Sequence, residues 1–210
     1  MNPEIRAAIA SAICSTGMLP HLMTGFLVQW LRRHFADPKN REQSDLLNKI
    51  WKAVGTETTI DVESATRWKP ETTELRPAVV VARNDWNVLR FGINDQMMGG
   101  DWEATGAEYF AAYVEGTHTL FCVSPLPVEA EILAAEVYRE TLQFGPAVRR
   151  ELDVAVKRFA TVGVGKIFEI EEARQAYAVP VTVAYGLEER WKLVPYAPFL
   201  KKITLSMFLP

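Results

Sequence analysis

One segment near the end of the chain, AYAVPVTVAY (residues 176–185), limits the choice of fold more than any other. Val179, Val181, Val183 and Tyr185 fall on one side of an extended chain, and Ala178, Pro180, Thr182 and Ala184 fall on the other. A period of two predicts a strand with one buried face, and such a strand needs neighbours to pair with. They are visible in the sequence. Ala78 to Ala82 is a valine-rich run, while Tyr109 to Val114 and Thr117 to Val123 flank Glu115-Gly116, which reads as a hairpin turn. Val154 to Val164, Trp191 to Val194 and Ile203 to Phe208 predict further strands, with Gly186 to Arg190 as the link leading into Trp191.

Elsewhere the period is helical. After Ser124-Pro125-Leu126-Pro127, the residues Ala130, Leu133, Ala134, Val137, Thr141 and Phe144 make one stripe broad enough to lie flat on a sheet, and Gly145-Pro146 ends it. Glu171 to Tyr177 reads as a further helical turn or two. Three more apolar stripes precede Gly55, over Ile5 to Ile13, Leu27 to Phe35 and Leu47 to Val54. Grouped strands predict an α+β fold: a mostly antiparallel sheet with one long helix packed on it, preceded by an N-terminal three-helix segment. The division falls at Gly55, giving a helical segment over residues 1–55 and an α+β domain over 56–210. Charge divides in the same place, with a net of +3 up to Gly55 and −6 after it.

A chain of 210 residues with a formal charge of −3 is long enough for a sizeable core and lacks the basic excess of a dedicated nucleic-acid binder. No stretch reaches the roughly 20 apolar residues of a membrane span. Glu4 spoils the basic start that a secretory leader needs. Cys14 and Cys122 both sit among apolar neighbours and are expected to be reduced, buried thiols in a reducing compartment.

The residues offer little catalytic chemistry. VGVGKI (residues 162–167) lacks both the leading glycine and the trailing Ser/Thr of a phosphate loop and reads as a bent strand. His21, His34 and His118 have no second ligand at metal spacing. His34 is expected to pack on an apolar helical face and His118 to be exposed beside the hairpin turn. Glu129, Glu131, Glu136 and Glu140 read as the solvated side of the long helix. Asp153 and Lys157 are too ordinary a pair to mark a nuclease. No catalytic residue, cofactor or metal ligand is therefore assigned. The glycine-rich stretch FGINDQMMGGDWEATG (residues 91–106) is read as a loop, and it sets Met97, Met98 and Trp102 among polar residues. Thioethers and an indole there suit either a protein partner or a latch over the sheet.

Three segments taken together, RPAVVVARNDW, GTHTLFCVSPLPVEAEILAAEVYRETLQF and FEIEEARQAYAVPVTVAYGLEERWKL, resemble tailed-bacteriophage neck proteins, in particular the tail-completion or tail-terminator group. The likeness spans about Arg76 to Leu209 and consists of strand and helix patterns. Members of that group are usually shorter, so the three front helices look like an addition. The resemblance implies a structural subunit with no enzymatic activity, forming a homo-oligomeric, commonly hexameric, ring on the end of the tail tube. Its partners would be the tail tube protein and the head-tail connector or portal. DNA would pass through the channel without specific binding, and no membrane would be involved. The setting would be the virion neck or tail, assembled in the host cytoplasm. Other expectations are another connector or baseplate component, a small cytosolic enzyme whose acids converge only in three dimensions, and a monomeric adaptor docking through its front helices.

Overall fold

The computed structural model describes residues 13–16, 20–54, 57–70, 76–89, 97–101, 107–151, 156–170 and 176–193. In chain order the elements are β1 (Ile13–Thr16), α1 (Pro20–Ala36), β2 (Asp61–Ser64), β3 (Ala78–Leu89), β4 (Met97–Asp101), β5 (Ala107–Ser124), α2 (Pro127–Glu151), β6 (Val156–Val164), β7 (Phe168–Ile170) and β8 (Ala176–Leu193). The fold is α+β with a mixed sheet of eight strands, antiparallel except where β2 runs parallel to β3.

Two strands of 18 residues each, β5 and β8, pair along almost their whole length and form the spine. β3 and β4 tile one side of β5, while β7, β6 and β1 tile the far side of β8. The expected hairpin at Glu115-Gly116 does not exist, and neither does the link at Gly186 to Arg190. Both segments run straight through as strand, and Ala176 and Tyr177 also belong to β8 rather than to a helical turn. The two glycines serve close approach instead of turning. Gly116 lies opposite Tyr185, and a Cβ there would sit 2.5 Å from the Tyr185 hydroxyl oxygen. On the other face, a Cβ at Gly186 would sit 2.0 Å from the Tyr113 hydroxyl oxygen. Each glycine is the floor beneath a tyrosine from the neighbouring strand.

One face of this sheet carries the main core. Val179, Val181, Val183, Tyr185 and Leu187 from β8 and Leu120 and Cys122 from β5 meet Met23, Leu27, Leu31 and Phe35 of α1 and Ala130, Leu133, Ala134 and Val137 of α2. Both helices therefore lie on the same side, and the core crosses the boundary expected at Gly55. α1 starts with Pro20, whose missing N–H costs nothing in a first turn, and ends before Asp37-Pro38. α2 continues through Gly145-Pro146 to Glu151, so that pair does not stop it.

The N-terminal three-helix segment is corrected by the structure. Of its first stripe, Ile13 belongs to strand β1, paired with β8, and Ile5 to Ala12 lie outside the described residues. The second is α1. The third, Leu47 to Val54, is irregular chain preceded by a single 3₁₀ turn at Ser44–Leu46. Its backbone is satisfied from outside. Thr59 Oγ1 accepts from Ile50 N at 2.6 Å and donates to the Asn48 carbonyl at 2.7 Å, and Lys52 N donates to Thr58 Oγ1 at 3.1 Å. Trp51 N reaches the Phe35 carbonyl at 3.0 Å, while the Arg41 guanidinium bonds the carbonyls of Phe35, Leu46 and Leu47. With those groups already partnered, a helix would gain little for the entropy it costs.

Candidate interaction surface

The second face of the sheet bears no helix among the described residues. At one end it has a small apolar cluster, Ala78, Val80, Val123, Ala176 and Ala178, flanked by Trp68, Phe121 and Ile170. Beyond that, the register sets out cross-strand rows of half-buried side chains. Phe121 and Pro180 form one, Ala82, Thr119, Thr182 and Gly163 the next, and Thr117, Ala184 and Ala160 the third. Asn84, at the irregularity in β3, donates to Thr117 Oγ1 at 3.0 Å and Thr119 Oγ1 at 2.9 Å, which pins two of these side chains flat. The residues named in these rows are uncharged, while Asp85, at the irregularity in β3, lines one pocket with Thr117, Ala184, Glu115 and Arg158, so the third row borders charge directly. The next rows are charged, with Glu115 facing Arg158 at 3.7 Å and Glu188 holding Arg190 at 2.6 Å and Lys157 at 3.7 Å. The result is a plate of small uncharged residues with a charged rim at one end. A solvated antiparallel face more commonly alternates polar and charged groups outward.

The far end of the spine is aromatic. Phe110 and Trp191 stack with ring centroids 5.5 Å apart. In register, Met97 of β4 is the partner of Phe110 and Ser15 of β1 the partner of Trp191, so one row runs across four strands there. Met97 and Met98 thus lie on a strand rather than in a loop, and Trp102 lies outside the described residues. Sequence spacing had no means of showing that row, because the pairing brings together positions about 80 apart in the chain.

The ionisable groups on the helix side hold the structure together. His34 of α1 is 2% exposed and lies between two carboxylates of α2, Nε2 being 3.0 Å from Glu136 Oε1 and Nδ1 3.0 Å from Glu140 Oε2, the latter outside hydrogen-bond alignment. Trp30 Nε1 donates to the second oxygen of Glu140 at 2.7 Å, and the N–H groups of Glu42 and Gln43 donate to Glu136 at 3.3 Å. Burial alone would lower the His34 pKa. The two glutamates outweigh it and push it up to about 9, so the clasp is an imidazolium between carboxylates. Burial would likewise raise Glu136, but His34 and the two N–H groups draw its pKa below the usual carboxylate value. The expectation of a solvated acidic face on α2 is thereby corrected for Glu136 and Glu140, which are buried, and Glu129 is half-buried and pairs with Lys49 at 2.6 Å, while Glu131 is exposed as expected.

His118 is fully buried rather than exposed, because the turn that would have presented it is continuous strand. Its Nε2 lies 2.7 Å from Thr24 Oγ1, and burial together with the Arg83 charge lowers its pKa to about 4. Cys122 is a free buried thiol, and burial pushes its pKa well up, away from thiolate chemistry. Cys14 lies on β1, and Asp153 lies outside the described residues. VGVGKI spans the end of β6 with an irregularity between Thr161 and Gly163. Among the described residues no three His, Cys, Asp or Glu side chains gather as a metal site, and no helix is long and apolar enough to cross a membrane. No protein-family model and no curated protein matches the chain.

Proposed function

We propose that the chain is a structural, self-associating subunit without enzymatic activity, working in the neck or tail of a tailed phage as a ring component that joins tail tube to head connector. The observation that carries the association is the plate of small residues on β3, β5, β8 and β6, which bears no helix among the described residues while α1 and α2 crowd the other face. Flat sheet surfaces of that kind are usually covered, curled away or charged when a protein works alone. The setting rests on the resemblance of the three segments quoted above, of which the long helix after β5 is present while the hairpin expected before it is one continuous strand.

Size limits what the plate does alone. The nine positions named in the rows, each taking about 4.8 Å across the strands and about 7 Å along them, cover roughly 300 Å², against about 800 Å² per partner in a standard interface. The plate is then less than half of a contact. The aromatic row with Met97 at the other end of the spine is a separate patch on the opposite face, since Phe110 and Trp191 lie an odd number of residues from Phe121 and Pro180 in an unbroken register, with Met98 and Trp102 alongside in sequence. A closed ring needs two different patches on each subunit that meet under rotation, and these two ends provide them.

Light scattering after size exclusion, with negative-stain electron microscopy, tests the reading. The wild type is expected to form closed rings, alone or with tube protein. Thr182→Glu and Ala184→Glu, which put carboxylates on the plate, should give monomers with an unchanged circular dichroism spectrum. A wild type that stays monomeric with and without tube protein would overturn the reading.

A further inference from the structure

Away from the plate, a groove of about 590 Å³ opens between α1 and the β2–β3 edge. Its lining includes Arg32, Arg67, Arg83 and His21 against a single carboxylate, Glu63. Arg32 is spoken for. It pairs with Glu63, donates Nε to the Val62 carbonyl at 3.0 Å, and lies 5.0 Å above the Trp51 ring. That leaves Arg67 and Arg83, both exposed and neither in an ion pair among the described residues, with Glu63 the one carboxylate in the described lining. Hydroxyls from Thr24, Ser64 and Thr66 stand in the same lining. In a chain of net negative charge, this is a concave site with surplus cations and surplus donors.

Beneath Thr24 lies His118, placed opposite Arg83 in the β3–β5 register and without a partner at Nδ1. A neutral imidazole that carries its proton on Nε2 donates it to Thr24 Oγ1, which turns the threonine's own O–H outward as a donor. A ring with one proton can donate in that way only from Nε2, which leaves Nδ1 as the unpartnered acceptor.

We propose that this groove binds a small phosphate-bearing ligand, its phosphate gripped by Arg67 and Arg83 and capped by the Thr24, Ser64 and Thr66 hydroxyls. Ser64 and Thr66 bond each other at 3.0 Å, which uses one of the three hydroxyl protons. Two guanidinium forks and the two that remain still exceed the roughly four lone-pair sites of a carboxylate, whereas the terminal oxygens of a phosphate accept them all. The volume lies within the range of small-molecule sites. A nucleic-acid track would need a longer run of cations than two. The site is independent of the assembly reading, and either can fail alone.

The test is titration calorimetry on the full chain at low salt with inorganic phosphate, ADP, acetate and a short DNA duplex. Saturable binding of phosphate and tighter binding of ADP are expected. Arg67→Ala and Arg83→Ala should each weaken both about tenfold, which is the loss of one charge-assisted contact, while Lys52→Ala should change nothing. Phosphate should also shift the His21 and His118 ring resonances in NMR, and the melting temperatures of both arginine variants should match the wild type. No binding at about 10 mM ligand, well past the millimolar range of a single weak contact, would overturn the proposal. So would acetate binding as tightly as phosphate, duplex binding more tightly than ADP, or binding that survives both arginine substitutions.

Discussion

The His34 clasp makes a pH prediction whose size follows from its geometry. In the unfolded chain the imidazole titrates near 6.5, and in the folded chain near 9. Between those values the folded protein keeps a proton that the unfolded protein has released, so stability must fall as pH rises. The clasp contributes in full below 6.5 and is lost as pH passes through 9. A rise from 6.5 to about 9 corresponds to about 3 kcal/mol, a large share of the roughly 5–15 kcal/mol that holds most domains folded. Urea unfolding at a series of pH values from about 6 to 9.5 should show that loss. His34→Gln should remove the alkaline limb, at the cost of leaving Glu136 and Glu140 without their cation, on the order of 3–5 kcal/mol. If the variant does not fold, NMR titration of His34 in the wild type answers the question directly. A midpoint below 7, or an equal alkaline loss in His34→Gln, would refute the reasoning.

His118 predicts the opposite limb. Its folded pKa is lowered to about 4, mainly by burial and then by Arg83, so the unfolded chain binds the extra proton and stability should fall as pH drops from 6.5 towards 4. His118→Phe should flatten that limb, and persistence of the limb in the variant would place its origin elsewhere. The two glycines should respond unequally to alanine. At Gly116 the new methyl meets the hydroxyl of Tyr185, which is 1% exposed and cannot move, and the Trp86 Cβ at 3.0 Å, so a loss of about 2–3 kcal/mol is expected. At Gly186 the obstacle is the end of half-buried Tyr113, which can swing into solvent, so the loss should be about 1 kcal/mol or less. Equal losses in urea midpoints would count against the close-approach account.

What the sequence made legible, and what it hid, divides along one physical line. Alternation is a local property, so the buried face of β8 and most of the buried stripe of α2 could be read from spacing, whereas Ala78 to Val81 of β3 is a continuous buried run and Phe144 of the stripe is exposed. A glycine, however, looks the same whether it turns the chain or makes room for a tyrosine, and only the paired strand distinguishes Gly116 and Gly186 from turn residues. The same holds for Leu47 to Val54. Its apolar spacing is helical, but Arg41 and the Thr58 and Thr59 hydroxyls hold its backbone groups from other parts of the chain. The clasp was hidden for a related reason. Glutamates four apart on α2 suggest a wet face until α1 covers them with a histidine about a hundred residues away in sequence.

The placement of charge across the sheet is the reverse of what an isolated domain would favour. On the helix side, a cation and two carboxylates are buried, each supplied with partners at the expense of desolvation. On the other side, where water would solvate charge at no cost, the named residues of the three rows carry none, and charge stands at their border in Asp85, Glu115 and Arg158. An uncharged plate gives up solubility in the free chain and gains it back only when another surface covers it. Burying ions between α1 and α2 fixes how the front of the chain sits on the core, because the pairing is satisfied in one arrangement of the two helices. A rigid body with a bare plate on one side is the kind of part that an assembly with fixed geometry needs. In the proposed assembly, weakening the clasp by high pH should therefore loosen the contacts between subunits before it unfolds the sheet, whereas charging the plate should abolish them and leave the fold intact.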